Sequence, residues 1–299
     1  MLANKYRPKT FDEVIGQEVS KTLIQNQLKS KNYSNSIFVG NSGCGKTTCA
    51  KLVASAIDGE IYEYDCASRN GVADVKAIIE QARVPSILKP YKVYILDECQ
   101  TLSSAAWSSM LIALEEKIPN VVFIFCTTDP QKIPNTIFSR VQRYDFGPIP
   151  DSMIIDRLKF VCQEESISIE DEPLSLIAES AEGSMRQALT NLDKCVTFGK
   201  LDVVSVRRVL NFVGGKIFDA LYDAVVAKDI DKIVELVELT FMKGYEMHQF
   251  TRRFLEYAMK RKNIQLVDLL LETWNDIKYD DSPKTLIIAR LMTYGGDVK

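Results

Sequence analysis

The residues best placed by type and spacing to do chemistry run from Gly40 to Thr48: Gly-Asn-Ser-Gly-Cys-Gly-Lys-Thr-Thr. Gly40 to Thr47 fits G-x-x-x-x-G-K-[ST] at every fixed position. Residues 36–39 before it read as a short buried strand, and residues 49–54 after it as a helix. That strand, loop and helix setting makes the motif credible. Glycines let the backbone turn its N–H groups inward, and the helix start adds a partial positive charge, so the stretch suits a polyphosphate. Gly43, Cys44, Gly45, Lys46, Thr47 and Thr48 are expected to wrap the phosphates. Lys46 can reach the outer ones, and the Thr47 hydroxyl can ligate Mg²⁺. A mere glycine turn before an ordinary helix would leave Lys46 at the helix start unexplained. The chemistry implied is that of a nucleoside triphosphate.

Asp97 and Glu98 close the apolar run 93–96. In a parallel sheet, ligands bind at the carboxyl ends of strands, the edge from which the phosphate loop also leaves. Asp97 is expected to hold Mg²⁺ through water, and Glu98 to orient or deprotonate an attacking water. A lone Asp-Glu would read as a solvated strand end; the loop and the apolar run before it favour function. Thr127 and Thr128 close the run 121–126 at the same edge. A hydroxyl there could meet the γ-phosphate or the water, and from the residues alone a plain strand-end turn is an equal reading. The single histidine, His248, argues against a histidine triad or a histidine-rich metal site.

The elements that must position these groups follow from periodicity. Residues 10–13, Thr-Phe-Asp-Glu, have capping-box spacing and are expected to open a short helix. A helix over 18–29 is expected to carry Val19, Leu23, Ile24 and Gln27 along one side. Gly59 is expected to end the helix after the phosphate loop. Strands are expected at 61–64, 93–96, 121–126 and 143–146, and a helix at 72–82. Trp107, Met110, Leu111 and Leu114 have helical spacing and read as core. Strands alternating with helices mean an α/β domain on a mainly parallel sheet. After Pro150 only helices are expected: 153–162, 173–181, 185–196 and 203–210, then a hinge at Gly214-Gly215, then 217–227, 230–242, 246–259, 264–277 and 284–291. The expected division is 1–150, 151–213 and 214–299.

The 299 residues are 46% hydrophobic and 26% charged, ordinary for a soluble globular protein of two or three domains. No apolar run reaches the length of a membrane span, and no signal-peptide core is present at the start. The seven cysteines never form C-x-x-C, which fits a reducing cytosol better than disulfides or a zinc site. The net charge of −3 does not announce nucleic-acid binding, so any such surface must be local.

Several segments together resemble one family. They are 65–70 (Asp-Cys-Ala-Ser-Arg-Asn), 91–98, 126–134 (Cys-Thr-Thr-Asp-Pro-Gln-Lys-Ile-Pro) and 137–140 (Ile-Phe-Ser-Arg). The opening 6–17 and the stretch 183–189 (Gly-Ser-Met-Arg-Gln-Ala-Leu) join them. In this order they resemble the ATPase subunit of a sliding-clamp loader, of the bacterial gamma/tau type within the AAA+ superfamily. The likeness runs from about residue 5 to 195. It implies a P-loop AAA+ domain, a small helical lid and a helical collar.

The resemblance also implies roles. Tyr6, Arg7, Pro8, Val14 and Ile15 would line an adenine pocket. Thr128 would be sensor 1, and Arg186 would be sensor 2, touching the phosphates from the lid. Arg140 would be an arginine finger acting on ATP bound by a neighbouring subunit. The ligands implied are ATP and Mg²⁺. The partners implied are a sliding clamp, other loader subunits in a pentamer, and primer-template DNA held by its phosphates. Arg69, Lys76, Ser103 and Ser104 would be the DNA contacts, although any one of them taken singly is also an ordinary solvated surface group.

Three departures stand out. Val141 replaces the usual cysteine after the finger. The four-cysteine zinc module of bacterial relatives has no counterpart here, so no zinc is expected. Ser104 stands where those relatives tend to carry a basic residue. A compact loader in a bacterial cytoplasm or a phage-infected cell fits this pattern. Two alternatives stay open: a loader-like subunit that binds nucleotide without hydrolysing it, and another ring-forming AAA+ ATPase acting on DNA, such as a Holliday-junction motor.

Overall fold

Runs of four to six apolar residues with no polar alternation demand a sheet covered on both faces. In the computed structural model, which describes residues 1–31, 33–210 and 215–295, this is what they form. The strands are β1 (Ser36–Gly40), β2 (Gly59–Asp65), β3 (Tyr91–Asp97), β4 (Val121–Thr127) and β5 (Gln142–Phe146). All are parallel, in the order β2-β3-β4-β1-β5. Successive side chains of one strand enter opposite cores. Tyr94 and Leu96 of β3, with Phe123 and Phe125 of β4, face one core; Val93, Ile95, Val122 and Ile124 face the other. The alternation is hidden in the sequence because both faces are apolar.

In chain order the helices of this part are α1 (Leu2–Lys5), α2 (Glu18–Lys29), α3 (Lys46–Ala56), α4 (Val72–Arg83), α5 (Ser104–Glu116) and α6 (Asn135–Phe138). On one side of the sheet, α4, α5 and α6 contribute Val75, Ile78, Trp107, Met110, Leu114 and Ile137 to the core. Opposite them, α2 and α3 contribute Ile24, Ala50, Leu52 and Ala54. Then α7 (Asp151–Glu164), α8 (Asp171–Ser180) and α9 (Met185–Phe198) pack on one another.

Three expectations are corrected. Residues 10–13 form a turn, not a helix. The Glu13 carboxylate accepts from the Lys9 N–H at 2.9 Å rather than closing a capping box, and the short helix lies earlier, at α1. Gly59 does not end α3 but begins β2; the left-handed residue of that turn is Asp58, with φ 50°. Gly59 is required there by space, since an added Cβ would lie 2.5 Å from Val93 Cγ2. On α2, Ile24 is buried while Val19 and Leu23 are exposed.

Contacts divide the chain into two units, Met1–Asp202 and Val203–Lys299. The second contains α10 (Val203–Val209), α11 (Gly215–Ala227), α12 (Ile230–Met242), α13 (Met247–Lys260), α14 (Ile264–Ile277) and α15 (Pro283–Met292). Phe218, Leu221, Phe250, Phe254, Leu266 and Leu270 form its core. Of the expected Gly214-Gly215 hinge, Gly214 lies outside the described residues. No helix among the described residues is long and apolar enough to cross a membrane.

Candidate functional site

The loop between β1 and α3 needs glycine where the chain turns left-handed, at Gly43 with φ +76° and Gly45 with φ +110°. At Gly43 space decides too. An added Cβ would lie 2.0 Å from Ser184 Oγ and 3.1 Å from Arg186 Cβ. The loop therefore lies against the start of α9, where the Ser184 hydroxyl accepts from the Gln187 N–H at 3.2 Å. This approach brings Arg186 to the loop. Lys46 is 6% exposed, and its ammonium donates to the carbonyls of Gly40 at 2.7 Å and Asn41 at 2.9 Å. Burial raises the pKa of the Cys44 thiol against the pull of Lys46, so Cys44 adds no charge at neutral pH.

Parallel register places the ends of β1, β3 and β4 at one edge, with Val39 opposite Thr127. There the Thr47 hydroxyl donates to Asp97 Oδ2 at 2.7 Å, while Asp97 Oδ1 accepts from the Glu98 N–H at 3.1 Å. A hydroxyl and a carboxylate together are hard oxygen ligands beside a phosphate loop, a donor set that suits Mg²⁺. Glu98 has φ 51° and starts a short 3₁₀ turn over Cys99–Thr101. That turn carries Gln100 back to the strand ends. Its amide nitrogen donates to Glu98 Oε2 at 2.6 Å and to Thr128 Oγ1 at 3.1 Å. Its amide oxygen accepts from Thr127 Oγ1 at 2.8 Å. Thr128 Oγ1 in turn lies 3.2 Å from Glu98 Oε2.

A cavity opens on Thr47, Asp97 and Glu98 of this cluster. Every residue expected to bind the nucleotide lines it: Tyr6, Arg7, Pro8, Val14, Ile15, residues 43–48 and Arg186, with Asp97 and Glu98. Arg7 Nε donates to Thr48 Oγ1 at 3.3 Å. Tyr6 donates its hydroxyl to Glu165, and that bond pushes its pKa up to about 12. Lys5, then Tyr6, hold the Glu165 carboxyl below its ordinary range. Four cationic side chains (Arg7, Lys46, Arg157 and Arg186) share the cavity with Glu13, Asp97 and Glu98. This balance suits a polyanion carrying a divalent cation.

Two of the residues expected to act in hydrolysis stand elsewhere. Thr128 reaches the cluster through Glu98 and Gln100 but does not line the cavity. Arg140 follows α6 and is exposed; it pairs with Glu115 of α5 and donates to the Thr136 carbonyl at 2.8 Å. Arg69 and Lys76 are exposed, Arg69 in the β2–α4 loop and Lys76 on α4. The Ser103 N–H donates to the Asn70 carbonyl at 3.1 Å, and its hydroxyl caps α5 by accepting from Ala106 at 3.2 Å. The backbone amide of Ser103 is thus already used, while Ser104 is exposed. The sequence reading missed Arg157 and Gln100. Arg157 belongs to no motif. Gln100 could have been suspected only from its place two residues after Glu98.

Residues 36–148 match the family model described as ATPase family associated with various cellular activities (AAA). Residues 153–201 match the DNA polymerase III clamp loader subunit, ATPase lid domain. The chain is 35% identical over 266 residues to DNA polymerase III subunit tau of Bacillus subtilis, covering 78% of this chain and 47% of that protein. It is 32% identical over 309 residues to subunit gamma/tau of Mycoplasma genitalium, covering 91% and 52%. The chain thus spans about half the length of these relatives. To DNA polymerase III subunit gamma of Buchnera aphidicola it is 28% identical over 325 residues, covering 98% and 87%. Among solved structures, a RuvB of Thermotoga maritima superposes with a TM-score of 0.61 at 19% identity, covering 74% of this chain and 79% of that one. That likeness concerns the fold alone.

Proposed function

The chain belongs to the AAA ATPases of the DNA polymerase III gamma/tau clamp-loader type, and from that premise we propose that it is the ATP-hydrolysing subunit of a sliding-clamp loader. ATP binding would open a ring-shaped clamp, and hydrolysis would release it closed on primer-template DNA. The observation that carries the reading is the cluster at the ends of β3 and β4. There Thr47 meets Asp97, and Glu98 is held beside Thr128, at a cavity that Arg186 also lines.

The adenine is assigned to Tyr6, Arg7, Pro8, Val14 and Ile15, and the phosphates to residues 43–48 and Arg186. Thr47 and Asp97 would hold Mg²⁺, which when bound neutralises charge on the phosphate oxygens. Glu98 takes a proton from the attacking water as the water oxygen bonds to the γ-phosphorus and the bond from the γ-phosphorus to the bridging oxygen breaks, that oxygen leaving with ADP. Lys46 supports the charge developing on the outer phosphates, and Thr128 keeps Glu98 aimed. Arg140 is assigned to the site of a neighbouring subunit. To reach it, the guanidinium would exchange Glu115 for a phosphate, which it can bind bidentately. Hydrolysis then depends on assembly, a pentamer by family likeness.

The division into an ATPase domain (1–150), a lid (151–213) and a collar (214–299) belongs to this proposal. So do ATP and Mg²⁺ without zinc, a cytoplasmic setting, and DNA phosphate contacts at Arg69, Lys76, Ser103 and Ser104. The test is ATP turnover with clamp, with primed DNA, and with both. Stimulation by the two together beyond either alone is expected. Indifference to the clamp would instead indicate another DNA-processing AAA ATPase, and binding of both without turnover a non-hydrolysing subunit.

A further inference from the structure

We propose that Gln100 is a positioning residue for hydrolysis: it locks the carboxylate of Glu98 onto the end of β4 and so fixes where the attacking water is deprotonated. The inference rests on the role of Glu98 given above. Glu98 follows the last residue of β3 and lies in the left-handed region, at φ 51°. Nothing in the β-strand geometry aims it. The 3₁₀ turn supplies the missing constraint by returning Gln100 to its side. The Thr101 N–H and hydroxyl both donate to the Glu98 carbonyl, at 3.0 and 2.8 Å, and hold the turn closed.

The polarity of the Gln100 amide is set by its partners. Thr127 is fully buried, and its Oγ1 accepts from the Asp129 N–H at 3.0 Å. Its own proton is therefore free to go to the Gln100 amide oxygen. The amide nitrogen must then face Glu98 and Thr128, where it donates to both. Thr128 accepts from Gln100 and donates its hydroxyl to Glu98 at 3.2 Å. The carboxylate thus receives two donors on one oxygen, Oε2, while among the described residues none donates to Oε1, which we assign to the water. A carboxylate can only accept, so the bond from Gln100 needs the orientation that Thr127 imposes. Closed networks of this kind hold a functional group more narrowly than separate contacts do.

The test uses the full chain assembled as in the turnover assay, with single-turnover hydrolysis at saturating ATP and affinity for a fluorescent ATP analogue. Gln100→Met keeps the length of the side chain and removes both donors and acceptor. It is expected to lower the hydrolysis rate roughly ten- to a hundredfold, the usual effect of losing a partner that orients a functional ligand, with nucleotide affinity and Tm unchanged. Gln100→Glu keeps the shape but sets two carboxylates together, and is expected to be worse. In a Glu98→Gln background, Gln100→Met is expected to cost nothing further, because it acts only through Glu98. Thr127→Val, which frees the amide to rotate, is expected to lose rate in the same direction and carries the same test if Gln100→Met misfolds. Wild-type rates in Gln100→Met would overturn the inference. So would a loss of nucleotide affinity in step with rate, or a full additional loss in the Glu98→Gln background. The two readings separate cleanly: normal turnover in Glu98→Gln removes Glu98 from catalysis, whereas normal turnover in Gln100→Met beside an inactive Glu98→Gln removes only Gln100.

Discussion

At the ends of β3 and β4, Thr47, Asp97, Glu98, Gln100, Thr127 and Thr128 hydrogen-bond one another within the chain. At the end of α6, Arg140 lies on the surface with its guanidinium on Glu115, their side chains 33% and 51% exposed. The first group is costly to disturb, because a half-buried polar group stripped of its partner loses about 1–3 kcal/mol. The second is cheap, because an exposed ion pair contributes only about 0–1 kcal/mol. One region is set in advance by its own chain; the other is held loosely enough to change partners. A site completed by a neighbour, as proposed for this chain, needs both kinds of construction.

Arg140→Ala separates the two regions most sharply. Turnover in the assembled protein is expected to fall by roughly 10³-fold or more, the effect of losing an arginine finger, if Arg140 serves the neighbouring site as proposed, with ATP binding retained in a filter or fluorescence assay. An equal loss of binding would place Arg140 in its own fold rather than a neighbour's site. Glu98→Gln comes next, with a fall of roughly 10²- to 10⁴-fold for a lost general base and a trapped ATP-bound complex. Normal turnover there would leave the preorganised cluster without its proposed task.

Gly43→Ala attacks the contact between loop and lid. Its Cβ would be forced onto Ser184 Oγ in a backbone region that L-residues avoid at a cost of about 1–3 kcal/mol. Lowered Tm and weaker ATP binding are both expected; an unchanged pair would show that α9 can retreat from the loop freely. The smallest effect is Glu115→Gln, at under about 1 kcal/mol in chemical denaturation, with assembled turnover kept or raised as Arg140 is released. A large loss of stability would break the contrast, since Arg140 would then be anchored rather than exchangeable.

Much of this was legible in the residues. The loop from Gly40 to Thr47, the apolar runs behind β3 and β4 and the Asp97-Glu98 strand end are local patterns, and residues they single out, Gly43 to Thr47, Asp97 and Glu98, line one cavity. The lining by Tyr6, Arg7, Pro8, Val14, Ile15 and Arg186 came through likeness to a family, not through spacing. Where the reading went astray, long-range contacts had overruled a local signal. Thr10 and Glu13 have the spacing of a cap, but Glu13 accepts from Lys9. Gly59 looks like a helix stop, but Val93 on the next strand requires a residue without Cβ there. Val19, Leu23 and Ile24 fit an apolar stripe, and of these three Ile24 alone is buried.

By itself, then, the sequence determined most of the elements, their parallel α/β arrangement and the phosphate loop, because backbone conformation and the burial of a run depend largely on near neighbours. The tertiary structure alone decided which side chains meet. Arg157 shares a cavity with Lys46, Gln100 reads the end of β4 back onto Glu98, and Glu115 rather than a phosphate holds Arg140. Such pairings join residues far apart in the chain, or across a turn whose direction spacing does not reveal. Their geometry follows from how the sheet edge, the loop and the helices after β5 pack, and no periodicity in the chain encodes that.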